Sequence, residues 1–375
     1  MTLSEPPLLP DQRRERLLAD LHAHGTLRVS EIARALGVTT VTVRRDIAQL
    51  ADEGAIERVH GGIRLPRGGD VQPQFSVAVE EPGRSTSTDE ASLPAVGMVV
   101  PSLDYYWPEI VRGARDAAPD AGVRIVLRGS SYDDVADVRR QTAWLLETAG
   151  IQGLLIAPPT IGDEAAQLID WLAGLDIPVV FLERTATVGL YQEHVESVST
   201  DHAFGASLAV RHLAARGHRR VGFLASASSP HTPAVRRGWQ QTVTAIGLDP
   251  DAPELISPDH RDPRWDDEID LGIDAWLADG TTALLAHSDR EAISLVARCE
   301  ERGIRVPDDL AVVAFDDEVA GLANPALSAV RPAKYTIGEG AMQLLSKRLL
   351  DPARPVHRVL ISPQLIVRDS SGPRG

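Results

Sequence analysis

From residue 95 onward, short runs of β-favouring apolar residues alternate with longer helical patterns, and few folds accommodate that rhythm. The runs are 95–100, 123–127, 153–157, 178–182, 221–224, 282–286 and 311–315. Helical stretches between them include 109–118, 138–149, 203–216, 291–302 and 338–350. Strands alternating with helices predict an α/β fold with parallel sheets covered by helices on both faces. Roughly 275 residues is more than one doubly wound domain usually needs, so two lobes are predicted. Lobe 1 is expected over about 95–185 and 332–352, and lobe 2 over about 186–331 and 353–369. No internal repeat of about 20–50 residues stands out, and no likeness between the lobes is visible by eye.

Residues 11–66 follow a different pattern. Leu17, Leu18 and Leu21 recur at helical spacing, and Gly25 ends that segment. A second helix is predicted from Ser30, a good N-cap, with Ile32, Ala33 and Leu36 on one face and Gly37 as its stop. A third runs from Thr39 or Thr40 to about Asp52, with Val43, Ile47 and Leu50 as its apolar stripe. Two strand-like pieces, 55–59 and 63–65, flank His60-Gly61-Gly62, a hairpin signal. Helix, helix-turn-helix and hairpin together describe a winged helix-turn-helix. Residues 67–94 are rich in Pro, Gly, Ser, Thr and acids and read as a linker between the head (1–66) and the two-lobed part (95–370).

The charge distribution bears on the function. A chain of 375 residues with net charge −15 lacks the basic footprint of a typical nucleic-acid binder. Residues 1–66, however, hold nine Arg, no Lys and nine acids, so the net negative charge lies wholly beyond them. Only the neutral head is suited to meet DNA. Cys299 is the single cysteine, which excludes an intramolecular disulfide and a Cys-rich zinc site. No apolar run approaches the roughly 20 residues of a membrane span, and residues 1–20 lack the core of a secretory signal. A cytoplasmic location without membrane association is expected. No metal or cofactor is expected.

Two stretches carry specific likenesses. Thr42-Val43-Arg44-Arg45-Asp46 followed by Arg58-Val59-His60-Gly61-Gly62 resembles the DNA-binding domain of the DeoR family, over about 50 residues. That family usually continues into a sugar-phosphate sensing domain related to isomerases, and this chain departs from the pattern. Residues 95–370 resemble the LacI/GalR sensor, which has the two-lobed periplasmic-binding-protein fold. Arg216-Gly217-His218-Arg219-Arg220-Val221-Gly222 and Arg302-Gly303-Ile304-Arg305-Val306-Pro307-Asp308-Asp309 carry that likeness. The resemblance implies a transcriptional regulator, a repressor acting as a homodimer, with a sugar or polyol as effector.

Candidate DNA-contacting residues follow from the head. A recognition helix reads base edges mainly with its N-terminal residues, here Thr39, Thr40, Thr42, Arg44 and Arg45. Arg44 and Arg45 are 100° apart on a helix, so one suits a base and the other phosphate. Pairing with Asp46, Asp52 or Glu53 on a solvated surface is the competing role. Ser30 joins the set at the start of the preceding helix, and Arg58 and His60 in the wing are placed to reach backbone or minor groove.

Effector contacts are expected just after strands, where two-lobed folds bind their ligands. Tyr106 and Trp107 follow the first strand and match positions where LacI-type sensors stack a ring. Packing between lobes or subunits is the alternative. Arg184 lies in a Glu-Arg pair matching an Asp-Arg pair of the family. Ser288 and Asp289 stand where the family usually has Asn-Asp. Asp316 matches a ligand-binding carboxylate, with capping or a lobe-to-lobe ion pair as its alternative. The family often has Arg four residues before the aromatic of a Gly-aromatic pair. Here the pair is Gly238-Trp239 and that position is Val235, so Arg236 becomes the nearest candidate.

Two other functions compete. A sugar receptor without regulatory DNA binding would not need the winged head. A sugar-phosphate isomerase would need a phosphate loop, but Asp279-Gly280-Thr281-Thr282 precedes a strand instead of leading into a helix N-terminus. No triad, Walker loop or metal spacing is evident, so no enzyme is expected.

Overall fold

The computed structural model describes residues 26–28, 32, 43, 47, 57–59, 62–64, 92–132, 134–258 and 262–372. They fall in two units, one within 1–75 and one within 76–375. In the first, β1 (Thr26–Arg28), β2 (Glu57–Val59) and β3 (Gly62–Arg64) form an antiparallel sheet in the order β1-β3-β2. The hairpin expected around Gly61-Gly62 is present, with Val59 opposite Gly62. Its third strand, β1, has no signal beyond a three-residue run and exists because β3 offers it a partner. Ile32, Val43 and Ile47 are helical and buried, which agrees with their place on the apolar stripes. The other residues of the three expected helices lie outside the described residues, as do 67–91 of the expected linker.

The second unit has two six-stranded sheets. The first contains β4 (Ala95–Val100), β5 (Arg124–Gly129), β6 (Gly153–Ile156), β7 (Val179–Leu182), β10 (Ser197–Thr200) and β16 (Arg358–Ile361), in the order β16-β10-β7-β6-β4-β5. Its helices are α1 (Trp107–Ala117), α2 (Val135–Thr148), α3 (Asp163–Ala173) and α8 (Lys334–Leu350). A small hairpin, β8 (Thr187–Val188) with β9 (Glu193–His194), lies beside α3. The second sheet contains β11 (Val221–Ser226), β12 (Glu254–Ser257), β13 (Ala283–His287), β14 (Ala311–Phe315), β15 (Ser328–Arg331) and β17 (Gln364–Ile366), in the order β12-β11-β13-β14-β15-β17. Around it pack α4 (His202–Ala215), α5 (Thr232–Ala245), α6 (Trp265–Asp279) and α7 (Asp289–Glu301). All pairings in both sheets are parallel except β15–β17.

Both sheets put their first strand second from one edge, so the lobes share a topology that their sequences hide. The expected lobe limits at 185/186 and 352/353 are corrected by two pairings. β10 joins β7, and β16 joins β10, so 197–200 and 358–361 belong to lobe 1. The chain crosses between lobes after β10, after β15 and after β16.

Each central strand feeds two cores, as a period-two backbone requires. Along β4, Val96, Met98 and Val100 join one cluster while Ala95 and Val99 join another. Along β14, Ala311, Val313 and Phe315 face one side and Val312 and Ala314 the other. Burial on both faces explains why these strands read as unbroken apolar runs. Glycine sets the closest helix contacts. A Cβ on Gly338 of α8 would stand 1.9 Å from the Ile110 carbonyl oxygen of α1, and one on Gly238 of α5 would stand 2.2 Å from the Ala203 oxygen of α4.

Candidate functional site

A cleft of about 850 Å³ opens where the carboxyl ends of both sheets meet. From lobe 1 it is lined by Tyr105, Tyr106 and Trp107 after β4, Tyr132 after β5 and Arg184 after β7. From lobe 2 come Ser226, Ser228, Ser229 and His231 around the turn into α5, His287 and Ser288 at the end of β13, and Asp316 after β14. Such strand ends are where helices and loops diverge and leave space.

The lobe 1 wall is tightly tied. The Tyr106 hydroxyl donates to Glu183 Oε1 at 2.6 Å. Glu183 also accepts from Thr200, from the hydroxyl at 2.7 Å and from the amide at 2.9 Å. The buried Glu183 thus holds Tyr106 in place and is itself held by β10. Burial, and then the Glu183 charge, push the Tyr106 hydroxyl above its ordinary range, so it stays a neutral donor. Trp107 Nε1 donates to the Tyr132 hydroxyl at 2.7 Å. Both rings are thereby fixed in the cleft wall, where they also belong to the lobe 1 core, Trp107 being 1% and Tyr106 7% exposed.

The lobe 2 wall carries unequal acids. Asp316 and Asp317 are adjacent, both with positive φ. Asp317 is buried against Arg331 at 2.6 Å and Arg368 at 2.7 Å. Asp316 lines the cleft, and among the described residues no donor is hydrogen-bonded to its carboxylate. Burial, followed by repulsion from Asp289, raises its carboxyl well above the usual range, opposed by Lys334. Lys334 donates to the Asp316 carbonyl at 2.7 Å, pairs with Glu318 and lies 5.0 Å from the Tyr106 ring centroid.

Two candidate contacts are placed elsewhere. Arg236 is on α5 with its guanidinium paired to Glu254 of β12, away from the cleft. It is the fifth residue of α5, five positions beyond His231. Asp289 is fully buried and accepts four backbone amides, those of Asp317, Glu318, Val319 and Ala320, at 2.7–3.1 Å. It shapes the loop that presents Asp316. Burial raises its carboxyl, and the amides pull it back down. Ser288 does line the cleft, but its hydroxyl and amide both donate to Glu291, at 2.7 and 2.8 Å. Asp201 caps α4 through the Phe204 amide at 2.9 Å, as its position before that helix predicts.

Sequence reasoning did not single out the histidines. His202 and His231 stack with centroids 4.0 Å apart at 10°, and His287 stands edge-on to His231 at 6.4 Å. His231 Nε2 lies 2.9 Å from Arg184 Nη1. Glu183, His202 and His231 are close enough together to suggest a metal site. The geometry opposes one, because an ion must lie near the plane of each imidazole that binds it and two stacked rings share no such point. The Arg184 charge beside them adds repulsion. Burial lowers all three histidines, His231 well below its ordinary value and His287 to about 4, so they are neutral at pH 7. A sequence signal existed in Ser229-Pro230-His231, which follows a strand, and in His287-Ser288, where one ends.

In the head, Arg58 lies on β2. Ser30, Thr39, Thr40, Thr42, Arg44, Arg45 and His60 lie outside the described residues. Among the described residues no helix is long and apolar enough to cross a membrane.

Comparison with known proteins agrees with both units. The DeoR-like helix-turn-helix domain family matches residues 13–67, and the periplasmic binding protein-like domain family matches 210–371. The HTH-type transcriptional repressor PurR of Photobacterium profundum is 23% identical over 353 residues, covering 91% of this chain and 98% of that protein. The transcription regulator CcpA of Lactococcus lactis superposes with a TM-score of 0.60 at 19% identity, over 74% of this chain and 99% of that one. A LacI family regulator of Enterococcus faecium with bound ribose gives 0.59 at 19%, over 75% and 100%. Residues 13–67 thus match a DeoR-like helix-turn-helix domain and residues 210–371 a periplasmic binding protein-like domain, and the fold of the second unit is shared with the superposed structures.

Proposed function

We propose that the protein is a DNA-binding transcriptional repressor whose operator affinity is set by a sugar or polyol held in the cleft. The carrying observation is the Asp316 carboxylate, which lines the cleft with no donor bonded to it among the described residues, in a cleft also lined by the fixed Tyr106 and Trp107. Rings cover the C–H surface of a sugar, and a carboxylate accepts from adjacent hydroxyls in charge-assisted bonds. Tyr106, Trp107, Arg184 and Asp316 are the assigned contacts, with His231 in place of Arg236. The ribose found in the Enterococcus faecium regulator supports this class of ligand.

DNA is read by Thr39, Thr40, Thr42, Arg44 and Arg45 of the recognition helix, with Ser30 before it and Arg58 and His60 in the wing. The head is charge-balanced, so two heads in a homodimer acting on one operator supply the affinity. Effector binding closes the lobes and changes the pairing of the heads; coupling requires different effector affinities in the two states. The test is a thermal-shift screen of sugars and polyols on the full chain, followed by gel shift of the upstream DNA of its own gene. A ligand that binds only the folded state raises its apparent stability. A hit whose shift vanishes in Asp316→Ala and which alters the gel shift supports the reading. A hit indifferent to Asp316→Ala overturns the site, and DNA affinity unmoved by every hit overturns the mechanism.

A further inference from the structure

The Arg184–His231 contact joins the lobes across the cleft. Arg184 follows β7 of lobe 1, and His231 precedes α5 of lobe 2. Arg184 is a donor only, so the His231 Nε2 that receives its Nη1 at 2.9 Å must carry a lone pair, and the ring proton sits on Nδ1. The same Nη1 also donates to the Glu183 carbonyl at 2.9 Å. The guanidinium stands 5.8 Å from the Trp107 ring centroid. It is thereby held at one height in the cleft wall.

We propose that His231 is a positioning residue: as a neutral acceptor it fixes Arg184 between the lobes, and a proton on His231 releases it. This rests on the reading of the cleft as the effector site, because a fixed Arg184 is useful there as a donor to bound hydroxyls. Every neighbour of His231 bears on the proton. Burial first, then His202, Arg184 at the end of β7 and His287 edge-on from β13 all disfavour a cation on His231. His202 covers one face from the start of α4, with its Nδ1 2.9 Å from the Thr200 carbonyl. Glu183 reaches His202 Nε2 only at 4.0 Å, its carboxylate already holding Tyr106 and Thr200. Protonated His231 turns a donor, Nε2–H, towards a donor-only guanidinium, so the bridge breaks and the lobes repel at that point.

The test needs neither effector nor DNA, so its failure is separable from failure of the sensor reading. The full chain is labelled with 15N-histidine, and ring spectra are followed from pH 8 to 4.5. His231 is assigned by the signal lost in His231→Gln. The expected result is an Nδ1–H tautomer at pH 8 that stays neutral well below pH 6.5, with a midpoint moved upward in Arg184→Ala. An Nε2–H tautomer, or a midpoint indifferent to Arg184→Ala, overturns the proposal. If His231→Gln fails to fold, His231→Asn supplies the missing signal, which keeps the assignment independent of the Arg184→Ala comparison. In thermal unfolding, His231→Gln keeps an acceptor without a titrating proton. It should match wild type at pH 7.5 and lose less stability at pH 5; a pH slope equal to that of wild type counts against the bridge.

Discussion

Lobe 1 meets the cleft with Tyr105, Tyr106, Trp107 and Tyr132 beside one cation, Arg184, and lobe 2 meets it with serines, His231, His287 and Asp316. The strand order of the two sheets is the same, so the difference lies in the strand ends and the segments that follow them. Rings on one side supply flat burial, with the polar atoms of Tyr106, Trp107 and Tyr132 bonded within the wall and the Tyr105 hydroxyl buried without a partner among the described residues. Titratable and hydroxyl groups on the other supply hydrogen bonds and respond to charge. A ligand that needs both faces binds well only when the lobes approach. A shared scaffold with divergent walls therefore makes closure the event that binding reports.

Both lobes rely on glycine where helices cross, and disturbing either crossing should have the largest effect. Gly338→Ala drives a methyl into the Ile110 carbonyl of α1, and backbone cannot move aside cheaply. We expect a loss of about 3 kcal/mol in urea unfolding of the full chain, at the upper end of overpacking costs. Gly238→Ala should be similar in lobe 2. A loss in one lobe only would show that the matched topology does not carry matched packing.

Asp289→Ala comes next, at about 2 kcal/mol, because four amides of the 317–320 backbone lose their acceptor. The effector-induced thermal shift should fall as well, since that loop presents Asp316. Retention of the full shift would mean that Asp316 is placed without it.

The walls should also differ in pH response. His202, His231 and His287 have folded values below their unfolded 6.5, so at these sites the unfolded chain binds more protons in acid. Their contribution is present above pH 6.5 and is lost as pH falls from there towards about 4, the folded value of His287. That amounts to about 1 kcal/mol for His287 between pH 7 and 5.5. Asp316 has the opposite sign. Its folded value is raised, so its contribution is present in acid and lost as pH rises through that value. Unfolding midpoints across pH 5–8 should show His287→Gln flattening the acid side and Asp316→Asn raising the neutral side. Similar responses from both variants would remove the distinction between the walls' acid and base components.

Legibility in the sequence followed burial and neighbours. β4 and β14 are central, covered on both faces, and their full extents could be read from apolar runs alone. β12 and β16 are edge strands with exposed residues, and β10 is Ser-Val-Ser-Thr, wholly buried yet polar. Thr200 tolerates that burial because Glu183, 17 residues earlier, accepts its hydroxyl and amide. No local pattern encodes such a partner. Tyr106, Trp107, Arg184, Ser288 and Asp316 could be placed by following strands to their ends. The histidine stack could not, because His202 and His231 meet only when α4 and α5 pack together.

Arg236 gives the smallest expected effect and the sharpest view of how lobe 2 departs from the likeness. A cation was expected on the cleft near the start of α5. The structure puts neutral His231 there and brings the guanidinium of Arg184 from lobe 1. Arg236 is instead a half-exposed partner of Glu254, tying α5 to the edge strand β12. Exposed ion pairs contribute little, so Arg236→Ala should change stability by less than about 0.5 kcal/mol. The thermal shift given by a sugar that depends on Asp316 should be unchanged, whereas Arg184→Ala should reduce it. If Arg236→Ala abolishes the shift, α5 must turn during closure, and lobe 2 rearranges instead of moving as a rigid wall.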